Sequence, residues 1–127
     1  RPASEPGIPC VIPDEAQIGR VAARHLIERG IDRLTFVGFD DVWSRGRLAG
    51  VIEAAQQAQV QAVDTWPPTR GASAWTLPSY GELMPSDAMD AWAAQLAHGT
   101  GIVAASDLIA SALLDALLRL GRHVPED

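Results

Sequence analysis

Two segments of this chain follow the same order: a short apolar stretch, a polar junction and a helix. The first is Leu34–Gly38 with a helix starting near Ser44, and the second is Gly101–Ala105 with an apolar helix over Asp107–Leu120. Apolar runs of this length are typical of strands buried on both faces of a parallel sheet. Because strand–helix alternation produces parallel strands joined by right-handed crossovers, the order predicts an α/β fold. We expect a three-layer sandwich, with helices on both faces of the sheet.

Capping residues and helical periodicity predict the other elements. Asp14 predicts the start of a first helix and Gly30 its end. Val60–Trp66 is a further strand, and Ser44 and Ser86 are the predicted N-caps of the next two helices. The predicted buried faces of those two helices are Leu48, Val51, Ile52 and Ala55 in the first, and Met89, Trp92, Ala93 and Leu96 in the second.

Composition excludes several classes of function. The net charge of −6 argues against a nucleic-acid surface, which needs a basic patch. All ten basic residues are arginine, which excludes a lysine Schiff base and a Walker-A lysine. Cys10 is the sole cysteine, so an internal disulfide and a cysteine zinc site are excluded. We expect no cofactor and no membrane partner, and a cytoplasmic location, because neither a membrane-length apolar run nor a signal peptide is visible.

The length of 127 residues predicts one domain. We expect residues 1–13 to be a lead-in segment and residues 14–127 to form the domain, interrupted by a proline-rich loop at 67–85 that is functional or disordered. The last helix points to a further strand beyond residue 127, and the chain does not begin with methionine. We therefore expect a piece of a longer protein, truncated before the last strand of its sheet.

Polar side chains follow both predicted strands. In parallel sheets, ligands bind in the crevice outside the carboxyl ends of the strands, which is where Trp43, Arg45, Arg47, Ser106 and Asp107 fall. A guanidinium can fork onto vicinal hydroxyls or a carboxylate, an indole can stack on a sugar ring, and a serine can bond a hydroxyl. Each has a plainer alternative: solvated arginines, a tryptophan packed on its own domain, and an ordinary helix cap followed by an acid.

Catalytic chemistry finds less support. Asp40 and Asp41 follow a strand and invite a divalent-metal or phosphotransfer hypothesis, but the chain lacks the lysine that a receiver domain needs. A dehalogenase-like site needs a second acid two residues after the first, and Val42 occupies that position after Asp40. The three histidines have no metal-ligand spacing: His25, His98 and His123. A protein that is not an enzyme is the favoured interpretation, and a flavodoxin-like metal-dependent enzyme is the weaker alternative.

The last predicted helix carries apolar residues almost all round, so it must be covered on more than one side. Two compatible interpretations stay open: burial against a part of the protein outside this chain, or a homodimer interface. For the second we expect the contact residues Ile109, Leu113 and Leu117.

In order and spacing, six segments resemble the ligand-binding domain of bacterial transcription regulators of the lactose-repressor (LacI/GalR) type, which has a type I periplasmic-binding-protein-like fold. They are Val11–Asp14, Ile18–Gly30, Leu34–Gly38, Ser44–Gly50, Gly101–Asp107 and Leu120–Glu126. Trp43-Ser44-Arg45 looks most similar to the xylose-operon regulator branch. The resemblance implies two lobes with a small-molecule effector, a sugar or a similar small polar molecule, bound between them, and this chain is mainly the C-terminal lobe.

The resemblance also implies roles for single residues. Arg47 would contact the effector, and Asp14, near the hinge between the lobes, is a further expected ligand-binding residue. Ser106 stands where the family has a ligand-contacting asparagine. The last helix would contribute to a homodimer, and DNA would be bound only by a region outside this chain. The same fold also allows an exported solute-binding protein of a sugar transporter, which remains the alternative.

Overall fold

The computed structural model describes residues 7–39, 41–60, 63–66 and 87–127. The predictions made for Asp40, Ser86 and the loop 67–85 therefore lie outside the described residues. In chain order the elements are α1 Glu15–Ile27, β1 Leu34–Val37, α2 Val42–Gln57, β2 Val63–Trp66, α3 Asp87–Ala94, β3 Gly101–Ala104 and α4 Asp107–Arg119.

The three described strands form one parallel sheet in the order β2-β1-β3. Leu34 of the central strand pairs with Val63 on one side and with Gly101 on the other. The chain moves outward from β1 to β2 through α2 and then returns past β1 to β3 through α3. Two right-handed crossovers in opposite directions must lie on opposite faces of the sheet. Accordingly α1 packs on α2, α3 packs on α4, and the predicted α/β fold with a parallel sheet is confirmed.

The core lies on both sides of β1, whose four residues are all buried. Leu34, Phe36 and Val37 have no exposed surface, and burying each such side chain stabilises the fold by about 1.5–3 kcal/mol. Trp66 at the end of β2 stacks on Trp92 of α3, with ring centroids 5.3 Å apart. Strand β1 is thus the centre of the described core, as its mainly apolar sequence predicts.

Helix α1 begins where its sequence predicts and ends at Ile27, shortly before the predicted stop at Gly30. The carboxylate of Asp14 accepts a hydrogen bond of 2.9 Å from the backbone N–H of Gln17 and so caps the helix. Gly30 has a φ of +86°, in the left-handed region that glycine tolerates best, shortly after the last helical residue, Ile27. The described helices also include none that combines the length and apolar character needed to cross a membrane.

Helix α2 corrects two predictions. Its N-cap is Asp41, whose carboxylate accepts a 2.8 Å hydrogen bond from the backbone N–H of Ser44, so Ser44 is not the cap. Ser44 lies fully buried in the first turn, where its hydroxyl accepts from the backbone N–H of Phe39. Ile52, predicted to be buried, is 37 % exposed, whereas Gly50 is buried. The periodicity of large apolar residues misses the buried face because part of that face is glycine.

The three predicted interface residues of α4 are buried within the chain and are not available to a partner. Ile109, Leu113 and Leu117 are at most 5 % exposed, because they belong to the chain's own core. Leu114 and Leu118, on another stripe of the helix, are 44 % and 69 % exposed. In a helix that is apolar almost all round, the sequence alone does not say which stripe faces the sheet. Any partner that packs on α4 must therefore use the exposed stripe.

Helices α1 and α2 approach each other closely through glycine. A Cβ atom added at Gly50 would lie 2.8 Å from the carbonyl carbon of Ala16, and one added at Gly46 would lie 2.7 Å from the Cβ of Glu15. Both separations are shorter than the 3.5–4.0 Å of ordinary carbon contacts. The glycines therefore permit a helix crossing that larger residues would prevent, and this crossing brings Glu15 against α2.

Candidate functional site

The sheet has a topological switch point between β1 and β3. After β1 the chain enters α2 on one face, and after β3 it enters α4, which packs with α3 rather than with α2. Where neighbouring parallel strands send their chains to opposite faces, a crevice opens at their carboxyl ends, and ligands of open α/β folds bind there. We call this place the switch-point crevice; the N-termini of α2 and α4 flank it.

Arg47 reaches from the second turn of α2 across this crevice. Its Nη1 donates to the carbonyl oxygen of Ala105, the residue directly after β3. Its Nε donates to a carboxylate oxygen of Glu15 at 2.7 Å, which joins α2 to the start of α1. The side chains of Arg47 and Glu15 are only 24 % and 20 % exposed, so solvent screens this ion pair less than a surface pair.

Trp43 forms one wall beside Arg47. The guanidinium carbon of Arg47 lies 4.9 Å from the centroid of the indole ring, within the range of a cation–π interaction. The ring also meets Phe39 edge-on, with centroids 6.1 Å apart. Trp43 is half-buried. It thus packs on its own domain and at the same time lies against the guanidinium of Arg47.

Arg47 retains donors for a ligand. A guanidinium has five N–H groups, and within the described part of the chain Arg47 uses two of them, on Nε and Nη1. The remaining three belong to the end of the guanidinium that is not bonded to Glu15. The bonds to Glu15 of α1 and to the carbonyl oxygen of Ala105 hold the group in place, so these donors are positioned before a ligand arrives.

Ser106 and Asp107 stand on the opposite side of the crevice, at the start of α4. The hydroxyl of Ser106 accepts a hydrogen bond of 3.4 Å from the backbone N–H of Ile109, which is the ordinary cap that the sequence left open as an alternative. A serine hydroxyl that accepts one bond can still donate its proton to a ligand. Asp107 is exposed in the first turn, where its charge complements the helix dipole.

Two other predicted ligand residues are not bonded to Arg47. Asp14 is exposed and caps α1, with its second carboxylate oxygen 3.8 Å from Arg20. Arg45 is exposed on the outer side of the first turns of α2. The acid that reaches the crevice is Glu15, which was not among the site residues predicted from the sequence. The signal for it was the pair of small residues at 46 and 50, which allow α1 to approach α2.

The metal hypothesis concerns Asp40 and Asp41. Asp40 lies outside the described residues, and the carboxylate of Asp41 is engaged as the helix cap. Within the described ranges, no three His, Cys, Asp or Glu residues are placed to hold a metal ion. The described groups at the crevice are thus a guanidinium, an aromatic face, a hydroxyl and carboxylates, which together suit hydrogen bonding to a small polar molecule.

An apolar cavity of about 470 Å³ lies elsewhere, along the outer edge of β3. It is lined by Ile102 of β3, Leu114 of α4, Leu26 of α1 and the segment Arg122–Pro125, among others. None of the residues that flank the switch-point crevice lines it. We place the candidate site at the crevice because its polar groups converge there, whereas this cavity is a gap beside an edge strand.

Comparison with known proteins agrees with the fold. Residues 23–127, most of the chain, match the family described as periplasmic binding protein-like domain. The match includes both strand–helix junctions of the crevice. No curated protein and no solved structure shows a significant match to the chain. The chain belongs to the family of periplasmic binding protein-like domains.

Proposed function

We propose that this chain is part of the effector-sensing domain of a bacterial transcription regulator and that it binds a sugar or a similar small polar molecule at the switch-point crevice. The observation that carries the proposal is Arg47, held across the crevice with three N–H donors unused by the described residues. The family match supports binding of a small molecule, and the resemblance to LacI-type regulators supports the role in regulation.

Each side chain of the crevice has a defined part in the proposed binding. Arg47 forks onto vicinal hydroxyls, because planar guanidinium donors match that geometry. The exposed part of Trp43 offers an apolar face to the ring of the ligand. Ser106 donates its hydroxyl proton to a further ligand oxygen. No bond of the ligand is made or broken, so the protein is a sensor and not an enzyme.

The signal in this proposal is a shift of populations. A second lobe, outside this chain, closes over the ligand, and closure changes how two subunits pack and how a DNA-binding region elsewhere in the protein meets its operator. The exposed stripe of α4, with Leu114 and Leu118, is the part of that helix available for the dimer. The chain itself is acidic, with a net charge of −6, and takes no part in DNA binding.

The alternative is a solute-binding protein of a sugar transporter, which the family description equally favours. The same crevice would then deliver its ligand to a membrane partner. The full gene discriminates the two: an encoded DNA-binding region favours the sensor, and an encoded export signal favours the transporter protein.

A thermal-shift screen tests the binding proposal. The panel contains pentoses, hexoses, their phosphates, purines and Mg²⁺. A ligand at about 100 times its dissociation constant adds about 2.7 kcal/mol to the free energy of unfolding, which is readily seen as a rise in Tm. The rise should disappear in Arg47→Ala. Arg119→Ala is the matched control, because it removes another arginine ion pair, to Asp90 at 2.8 Å, at the far end of α4.

The screen can also refute the proposal. A sugar-induced rise that persists in Arg47→Ala would place the ligand elsewhere. No response to any sugar, together with a rise from Mg²⁺ that is lost in Asp41→Asn, would favour the metal-dependent enzyme instead.

A further inference from the structure

The ion pair between Glu15 and Arg47 determines how much charge the crevice shows to a ligand. The two charged groups are 2.7 Å apart and about four-fifths buried, so the carboxylate cancels most of the positive charge of the guanidinium. Arg47 loses most of its net positive charge in this way but keeps the N–H donors that the described residues leave free. Hydroxyl oxygens of a ligand can accept from those donors. An anionic ligand would also depend on attraction by the positive charge of Arg47, which Glu15 cancels.

Acidic residues stand at the helix N-termini around the crevice and add negative charge there. Helices α1, α2 and α4 begin at Glu15, Asp41 and Asp107, or are capped by them. Anions bind helix N-termini through unpaired backbone N–H groups. Here a capping side chain already takes one of those N–H groups in each helix, namely Asp14, Asp41 or Ser106, and the neighbouring carboxylates repel an anion.

We propose that Glu15 is a specificity-determining residue that excludes anionic ligands from the crevice. It makes the site select uncharged polyhydroxylated molecules over sugar phosphates and sugar acids of the same shape. This inference rests on the proposed function, because it concerns the ligand of the same site. Glu15 acts through Arg47 and through its own charge, while Arg47 makes the contact with the ligand.

A purely structural role for Glu15 predicts a different result. The chain offers a matched pair for comparison, because Arg20 of α1 and Glu53 of α2 form a second ion pair between the same helices, at 2.9 Å. If Glu15 only joins α1 to α2, Glu15→Gln and Glu53→Gln should lower the Tm by similar amounts, and neither should change ligand preference. Glutamine keeps a carbonyl oxygen that can accept from Arg47, so the first substitution removes charge with little change in shape.

The experiment compares a neutral sugar with its anionic forms by calorimetric titration. The probes are D-glucose, D-glucuronate and glucose 6-phosphate, with D-xylose as a second neutral sugar. The proteins all contain the second lobe that closes over the crevice, and they are the wild type, Glu15→Gln, Glu53→Gln and the double variant Glu15→Gln/Arg47→Met. We expect the ratio of glucuronate to glucose affinity to rise at least about tenfold in Glu15→Gln, to stay unchanged in Glu53→Gln, and to lose the gain in the double variant.

Three results would overturn the inference: an unchanged ratio in Glu15→Gln, a gain that survives loss of Arg47, or a wild-type chain that binds the anions as tightly as the neutral sugars. The last comparison needs no variant, so it decides the question even if Glu15→Gln fails to fold. The failure of the proposed function looks different. In that case the wild-type protein binds neither D-glucose nor D-xylose, whereas Glu15→Gln gains binding of D-glucuronate or glucose 6-phosphate that depends on Arg47.

Discussion

Replacing Gly50 by alanine should force α1 and α2 apart. The added Cβ would lie 2.8 Å from the carbonyl carbon of Ala16 and 2.9 Å from the backbone nitrogen of Arg20. Carbon atoms pack at about 3.5–4.0 Å, so the two helices must separate by roughly 1 Å. The opposing atoms are backbone and cannot rotate away, so we take the upper end of the usual overpacking cost, about 3 kcal/mol. Alanine returns about 1 kcal/mol of helix propensity, which leaves a net loss of about 2 kcal/mol.

The assay for this prediction is urea unfolding followed by circular dichroism. We expect a lower midpoint with an unchanged slope and a fall in Tm of roughly 6–8 °C. Ala49→Gly is the control, because Ala49 is the exposed neighbour in the same helix and reports the propensity difference alone. If Gly50→Ala were as stable as the wild type or more stable, the helix crossing would not be as close as described, and the placement of Glu15 beside Arg47 would lose its basis.

Three further predictions concern the core, a cap and a carboxylate. Phe36→Ala removes a fully buried ring and should cost about 3–5 kcal/mol of unfolding free energy, whereas the exposed Val42→Ala should change it by less than about 0.5 kcal/mol in the same urea assay. Ser106→Ala removes the cap of α4 and should cost about 1 kcal/mol, measured by thermal unfolding against Ser111→Ala. The backbone N–H of His123, with His98 and Arg122, holds the pKa of Asp127 below its usual 3.8. This carboxylate therefore stabilises the fold above about pH 4 and stops doing so as pH falls through its lowered pKa, so the stability difference from Asp127→Asn should vanish in acid titrations.

Local interactions made most of the fold predictable. Asp14 is followed three residues later by Gln17, and that spacing fixes the start of α1 without help from the rest of the chain. The short, mainly apolar run of β1, followed by a polar junction and a helix, is typical of a strand buried on both faces. The start of α2 was harder, because Asp41 and Ser44 are both good caps. Asp41 is the N-cap, because the hydroxyl of Ser44 instead accepts a hydrogen bond from the backbone N–H of Phe39.

The site was predictable to the extent that it follows from topology. The rule that ligands bind at the carboxyl ends of parallel strands placed Arg47 and Ser106 near the crevice from sequence alone. Glu15 was not predictable in this way, since it meets Arg47 across 32 positions of the chain. That contact depends on the distance between two helices, and hydrophobic periodicity says nothing about distance. The face of α4 that packs on the sheet was also not predictable, because almost every stripe of that helix is apolar.

The residues that set ligand preference in this proposal extend beyond those that touch a ligand. Glu15 can neutralise Arg47 only if α1 lies close to α2, and the missing side chains of Gly46 and Gly50 make that approach possible. A larger residue at either position would lengthen the ion pair, expose it to water and weaken the cancellation of charge. Since Arg47 is also held by the carbonyl oxygen of Ala105, the guanidinium would stay in the crevice with more of its charge uncovered. Helix packing would then change the ligand preference of the crevice without altering any group that contacts the ligand.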